Sequence, residues 1–313
     1  MATVDLSAPR GLRQRVSIVH WGIASREALA GYLFTVPALV GLLGFTALPI
    51  IASLVLIFLN YDLLTPPTWA SESNIGRLFG DARLLVVYRN TVQLVVGATF
   101  LNNVLGLLLA VGLNRSMPWI LRYLLRTSIF FPVLTTTASL AVVWRYLLTQ
   151  DRGVVNFLLG QIGMDPVPWL SSSRWALISA MIYDVWKSCG FLMVIYLAGL
   201  QGIPAVYYEA ARIDGAGRFQ QFRNVTLPLI SPTAFFAIVI SLIGAFQIFD
   251  NVWVLTSGGP GDASRTIAMY IYEKAFRGFE MGYASAVSFT LFMVLISLTL
   301  LQFWVARRWV HYE

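Results

Sequence analysis

"YYEAARIDGAGRFQQFRNVTLPLISP", Tyr207–Pro232, interrupts an otherwise apolar chain, and its reading decides the fold. The segment is polar and basic, with long apolar runs on both sides. Together with the residues before it, "GIPAVYYEAARIDGAG" (202–217) predicts a short helix. Pro204 fits the first turn, where a missing N–H leaves no bond unmade. Ala205, Ala210 and Ala211 favour helix. Gly215 and Gly217 suit the stop, because helices commonly end on a left-handed residue. Ala205, Tyr208, Ala211 and Arg212 share one stripe of this helix; Val206, Glu209, Ala210 and Ile213 make the next. The slim alanine surface suits a groove on a partner. "RFQQFRNV" (218–225) then mixes Phe219, Phe222 and Val225 with Arg218 and Arg223, an amphipathic approach to a membrane. On these residues alone two readings stand: a helix that docks a partner, or an interfacial helix that only covers its neighbours' ends.

Composition supplies the surroundings. The hydrophobic set makes up 58% of the 313 residues and charged residues only 12%, against about 25% charged in soluble domains. That deficit of charge indicates a membrane protein. A span needs about 20 mostly apolar residues. Six such runs are present, at about 30–59, 90–113, 123–148, 175–200, 227–255 and 282–306. The expected fold class is therefore all-α: a polytopic membrane protein with six transmembrane helices. The first run follows the basic residues Arg10, Arg13 and Arg15, as in a signal peptide. It is too long for a signal's apolar core and no small-residue cleavage site follows, so it reads as a retained span.

Charge sets the orientation. If the first 29 residues are cytoplasmic, the inner segments hold twelve Lys and Arg and the outer loops eight. The inner segments then carry a net +7, while the outer loops balance to zero. Both termini are expected in the cytoplasm. This gives a cytoplasmic tail at 1–29, a transmembrane domain at 30–306 containing a loop at 201–226, and a cytoplasmic tail at 307–313.

Several chemistries are missing. A phosphate-binding loop needs GxxxxGK followed by Ser or Thr. Lys187 precedes Ser188, but Trp186 stands where glycine is required, and Lys274 precedes Ala275. A single cysteine, Cys189, and two histidines, His20 and His311, offer no metal spacing and no disulfide framework. No cofactor, no metal and no nucleic acid is expected, and no nucleophile, base and orienter assemble into a catalytic site.

The opening segment resembles the EAA loop of ABC importer permeases. The match is carried by Glu209, Ala210, Ala211, Asp214, Gly215, Ala216, Phe222, Val225, Leu227, Pro228 and Pro232. "FFPVLTTTASLAVVWRYLL" (130–148) and "NVWVLTSGGPGDASRTIAMYIYEKAF" (251–276) resemble the sugar and glycerol-phosphate branch, on its maltose-permease-like side. The resemblance implies a type I ABC importer permease fold in a bacterial or archaeal cytoplasmic (inner) membrane. It implies that Glu209, Ala210, Ala211, Asp214, Gly215 and Ala216 form a coupling helix docked on an ATPase. The implied partners are a second, homologous permease, two ATPase subunits, an extracellular or periplasmic solute-binding protein and the lipid bilayer. ATP hydrolysis would lie in the separate subunit, so the chain itself is not expected to be an enzyme.

The solute path is expected on the spans that flank the loop. Ionisable groups inside a membrane are costly and point to function. Asp184 and Lys187 stand three residues apart and share a face. They read either as a structural ion pair with another helix or as the lining of a midplane cavity. In the family the spans before and after the loop line the sugar site. The candidates are Asp184, Lys187, Ser188 and Phe191 from the fourth span, and Ser241, Ala245, Gln247 and Ile248 from the fifth. Asp250 and Asn251 would hold the Gly258–Gly259–Pro260 turn or meet the binding protein, which that turn is expected to face. Trp144 and Trp253 suit an interfacial belt or a sugar-stacking platform, and Arg145 would reach for the interface. Asp184 beside Lys187 cancels its charge, so a neutral mono- or oligosaccharide is expected. Glycerol 3-phosphate or another small solute is the alternative within the family. A self-sufficient secondary transporter stands against both.

Overall fold

The structure is a computed structural model that describes residues 15–70 and 72–310, with side chains from residue 27 onward. Residues 1–14 of the expected N-terminal tail and 311–313 of the expected C-terminal tail lie outside the described residues.

The chain divides into two units, Met1–Leu56 and Ile57–Glu313. In the first, α1 (Arg15–Leu42) runs through a π-helical turn, Leu43–Ala47, into α2 (Leu48–Leu56). None of its side chains from residue 27 onward is buried within this chain. A helix that is apolar all round is stable only in an apolar surrounding.

The second unit opens on a two-residue antiparallel ladder, β1 (Leu59–Asn60) with β2 (Thr68–Trp69). This ladder is absent from the all-α expectation. It closes the loop containing Pro66 and Pro67, where helix cannot continue. Then come α3 (Asn74–Gly80), α4 (Ala82–Leu113), α5 (Trp119–Leu134), α6 (Thr137–Leu147) and α7 (Val154–Gln161). They are followed by α8 (Ser173–Gly202), α9 (Ala205–Ile213) and α10 (Arg218–Gln221), which passes through a π turn into α11 (Leu227–Leu229). Last come α12 (Ser231–Phe246), α13 (Asp250–Leu255), α14 (Ile267–Tyr272) with a π turn after it, and α15 (Met281–Ala306).

Among the described residues four continuous stretches can cross a membrane by length and composition: Glu27–Leu56, Ala82–Leu113, Ser173–Gly202 and Met281–Ala306. Two further pairs are bent, α5 with α6 by 102° and the Arg218–Leu229 stretch with α12 by 67°, which makes six if each bent pair is one span.

Both bends have local causes. In the run read as 123–148, Pro132 removes an N–H from the last turn of α5, and Thr135 and Thr136 are extended. The Tyr183 hydroxyl of α8 donates to the Thr137 carbonyl at 2.6 Å, which ties the break to α8. In the run read as 227–255, Pro232 cannot donate to the Pro228 carbonyl. The Ser231 hydroxyl takes that acceptor at 2.6 Å, so the freed carbonyl is satisfied across the bend. That run also ends early. Helix stops at Phe246, and the Thr266 hydroxyl donates to the Ile248 carbonyl at 2.8 Å in the gap before α13.

α4 and α8 form the centre of the unit. Glycines bring the backbones together, as is usual between membrane helices. A Cβ on Gly106 would stand 2.9 Å from Leu192 Cβ, and one on Gly97 would stand 2.4 Å from Met181. At Gly190 a Cβ would lie 2.3 Å from the Ile129 carbonyl oxygen of α5. Backbone cannot swing away as a flexible side chain can. Gly190→Ala is expected to cost about 1–3 kcal/mol, the usual size of an overpacking strain, read as a lower unfolding temperature in detergent. Gly31→Ala, in open space, should leave that temperature unchanged.

Candidate functional site

α9 occupies Ala205–Ile213, with Pro204 at its N-cap rather than inside the first turn. Its end is a paired left-handed stop. The Ala216 N–H donates to the Ala211 carbonyl at 2.8 Å and the Gly215 N–H to Arg212 at 3.1 Å, with Gly215 at φ +77°. Glycine is favoured there because a side chain at that φ is strained. The chain then restarts at once. The Gly217 N–H is capped by the Gln220 side chain at 2.8 Å, and Gln221 donates to the Ala216 carbonyl at 2.9 Å. So the loop is two helices joined by a rigid corner.

The two faces of α9 differ. Tyr208 and Ala211 are half-buried, and the Tyr208 hydroxyl meets Thr226 at 3.1 Å. On the other side Val206, Glu209, Ala210 and Ile213 are exposed, Ile213 by 87%. Asp214 and Gly215 are exposed at the corner and Ala216 is half-buried. An apolar stripe at i, i+4 and i+7 that faces out on a polar loop is the kind of surface that partners cover.

The candidates on the flanking spans separate in space. Asp184 accepts from Asn102 of α4 at 3.1 Å. Among the described residues Lys187 makes no ion pair within 4 Å, with Asp184 or any other carboxylate, though Asp184 is near enough to act on it through its charge. Ser188 is half-buried and Phe191 exposed on the same helix. Ser241 accepts from Asn103 at 2.8 Å, and Tyr196 donates to the same asparagine at 2.8 Å. That polar triad joins α12, α4 and α8. Ala245 and Ile248 lie inside an apolar cluster with Leu94, Leu177 and Val252. Their side chains offer no surface to a solute, whereas Gln247 beside them is exposed. Asn102, Asn103 and Tyr196 did not figure among the sequence candidates. The two asparagines inside the apolar run 90–113 were the available signal.

Two aromatic groups also come together. Trp144 lies 5.7 Å from Tyr183 and 5.2 Å from Trp186, next to Lys187 in sequence. Trp253 stacks on Phe249 at 5.5 Å and meets Tyr272 at 5.3 Å.

The Gly258–Gly259–Pro260 turn is held by Thr256 and Ser264, not by Asp250 or Asn251. The Ser264 hydroxyl donates to the Gly259 carbonyl at 2.7 Å and meets Thr256 at 2.8 Å. Gly258 is buried at φ +78°, and the Gly259–Pro260 peptide is cis. Asn251 is turned onto its own helix start, accepting from the Val252 N–H at 2.7 Å, while Asp250 is exposed.

Behind this turn stands a charged brace. Arg83 grips Asp262 with two bonds, at 2.6 and 2.9 Å, and Arg265 donates to the same carboxylate at 2.6 Å. Arg265 also pairs with Glu273, and Glu280 takes both Arg77 and Lys274. Asn90 donates to the Asp262 carbonyl at 2.6 Å. The hydrogen bonds from Arg83, joined by those from Arg265 and opposed by burial, pull Asp262 down to about 2.

Apolar helices long enough for several spans, two proline-linked bends and an outward-facing loop helix define a polytopic membrane component of a larger assembly. The family named binding-protein-dependent transport system inner membrane component matches residues 102–311, and the chain belongs to it. It is the permease component of an ABC transporter and not itself the ATPase. The chain is 36% identical over 293 residues to a probable ABC transporter permease protein of Bacillus subtilis, YesP, covering 92% of this chain and 94% of that one. It is 34% identical over 284 residues to the trehalose/maltose transport system permease protein of Thermococcus litoralis, covering 90% and 95%. Among solved structures it is similar, with a TM-score of 0.81 and 26% identity, to a chain of a bacterial ABC transporter involved in import of the acidic polysaccharide alginate. That likeness covers 92% of this chain and 98% of the other.

Proposed function

We propose that this permease carries a sugar or oligosaccharide inward and couples to its ATPase through α9. The observation that carries the coupling is the outward stripe Val206–Ala210–Ile213 beside Glu209, set on a helix with a fixed C-terminal stop. In this reading Glu209, Ala210, Ala211, Asp214, Gly215 and Ala216 form the joint, and the loop and both termini are cytoplasmic. A second permease chain covers the lipid-length faces that this chain leaves open, two ATPase subunits drive the cycle, and a solute-binding protein delivers cargo near the Gly258–Gly259–Pro260 turn. The alginate importer has been crystallised with its pentasaccharide-bound periplasmic protein, which supports that last partner. The carbohydrate class is supported by the named substrates of the relatives.

The solute face in this reading holds Lys187, Ser188, Phe191 and Gln247, with the Trp144–Tyr183–Trp186 cluster beginning at the residue before Lys187. Lys187 lies near the middle of α8, which spans roughly 45 Å at 1.5 Å per residue. It makes no direct ion pair within 4 Å among the described residues, and a second reading is a carbohydrate that carries an acidic group.

The test is reconstitution in liposomes with the partner permease, the ATPase and the binding protein. Sugar-loaded binding protein should raise ATP hydrolysis and drive uptake. Uptake by the purified chain alone, with no ATPase added, would reject the reading in favour of a secondary transporter. Lys187→Gln should weaken uptake of an acidic sugar by roughly tenfold, about the size of one lost charge-assisted bond, and leave a neutral one unaffected.

A further inference from the structure

A cavity of about 1040 Å³ lies between the ends of α4 and α8 and the polar loop. Its walls divide by chemistry. Leu108, Val111 and Leu200, from the last turns of the two spans, make an apolar side. Arg115, Arg212 and Arg218 make a cationic side. Among the described residues no carboxylate lines the cavity, and none lies within 4 Å of these three guanidinium groups. Arg212 donates only to the Tyr208 carbonyl, at 3.3 Å. The cations of the outer brace, Arg77, Arg83, Arg265 and Lys274, are by contrast each paired with a carboxylate.

Three like charges around one concavity attract an anion. The apolar wall selects which kind. Inorganic phosphate would use the arginines and leave Leu108, Val111 and Leu200 in contact with water. A protein partner finds its apolar contacts on the opposite face of α9, at Val206 and Ile213. An amphiphile with an anionic head uses both walls. Basic pockets between membrane helices at the level of the headgroups hold such lipids. We propose that the cavity binds an anionic phospholipid of the leaflet in which α4 and α8 end. Its phosphate sits against Arg115, Arg212 and Arg218, and an acyl chain lies along Leu108, Val111 and Leu200. One headgroup then bridges the α4–α5 connection to both halves of the loop. The site depends on the chain spanning a membrane, and not on α9 docking an ATPase.

The test uses the full chain purified in detergent, titrated with phosphatidylglycerol or phosphatidylcholine and read by native mass spectrometry. Phosphatidylglycerol should be retained and phosphatidylcholine not. The triple variant Arg115→Gln, Arg212→Gln, Arg218→Gln should lose affinity by roughly 100-fold, at about fivefold per charge. The corresponding triple lysine variant should keep most of it, and Arg152→Gln with Arg174→Gln, in another loop, should keep all of it. Unfolding temperature in lipid-free detergent checks that the variants fold. If the triple variant does not fold, Arg115→Gln and Arg218→Gln singly should each show the fivefold loss. Equal retention of the two lipids, or unchanged retention by the triple variant, overturns the proposal. So does stabilisation by millimolar inorganic phosphate where phosphatidylglycerol gives none, which would mark a free-anion site. Loss of ATPase-subunit binding with lipid retention intact would assign the arginines to a protein partner instead.

Discussion

Ile213→Asp is expected to abolish uptake and to lower the affinity of the ATPase subunit by at least about 30-fold, while the permease chain itself folds normally. The side chain is 87% exposed in this chain, so nothing in the fold depends on it, and surface substitutions of this kind stay within about 0.5 kcal/mol. Burial under a partner is a different matter. Covering an isoleucine is worth about 1.5–3 kcal/mol, and burying a carboxylate without a partner adds a penalty on top. Co-purification of the ATPase with the chain reads the binding, and liposome uptake reads the function. An Ile213→Asp chain that still binds the ATPase and transports would remove α9 as the joint. Glu209→Ala tests the same surface from its polar side. It should uncouple ATP hydrolysis from uptake with a smaller loss of binding.

The second large effect concerns the outer brace. Asp262→Asn is expected to cost about 2 kcal/mol, read as a fall in unfolding temperature in detergent. The carboxylate accepts three bonds from two arginines, and Arg265 has only 9% of its side chain exposed. Losing charge-assisted bonds of this kind costs about 1.5–3 kcal/mol each when the partner is buried; the Arg83 contribution is discounted because that side chain is 46% exposed. The pH dependence has a fixed sign. Asp262 is held at about 2 in the folded chain, below the roughly 3.9 of a free aspartate. Its contribution is therefore complete above about pH 4 and is lost as pH falls through about 2. The difference between parent and variant should be flat near neutrality and shrink below pH 4. A gap that persists at pH 2, or that opens only at alkaline pH, would assign the effect to another group.

The parts of this protein differ in how far they can be read along the chain. α9 and its corner depend on neighbours a few residues apart: Pro204 at the start, Gly215 in the left-handed region, Ala216 bonding back to Ala211. The kinks are similar. Pro132 and Pro232 announce them, although the angle and the acceptor that replaces the lost bond, Ser231 to Pro228, come from the folded chain. The Asp184–Lys187 spacing was legible, but the bond from Asn102 of another helix to the aspartate was not. The bond from Asn103 to Ser241, and that from Tyr196 to the same asparagine, come only from the folded chain. Ala245 and Ile248 share a span with Gln247, yet which side of α12 is covered depends on where α4 lies.

By itself the sequence required a membrane protein of helices. Its apolar runs are long enough to cross a bilayer as helices, and in lipid a helix satisfies every backbone N–H and C=O internally. It also placed a polar, helix-forming loop between two of those runs. The tertiary structure decided which polar groups remain free to act. Asn103 meets Ser241 across 138 residues of chain, and Arg83 meets Asp262 across 179. Pairings at such separations depend on how α4 packs against α12 and against the loop before α14, which no local pattern encodes. What those pairings leave over is a lysine in α8 without an ion pair, an exposed face of α9, and three arginines around one cavity.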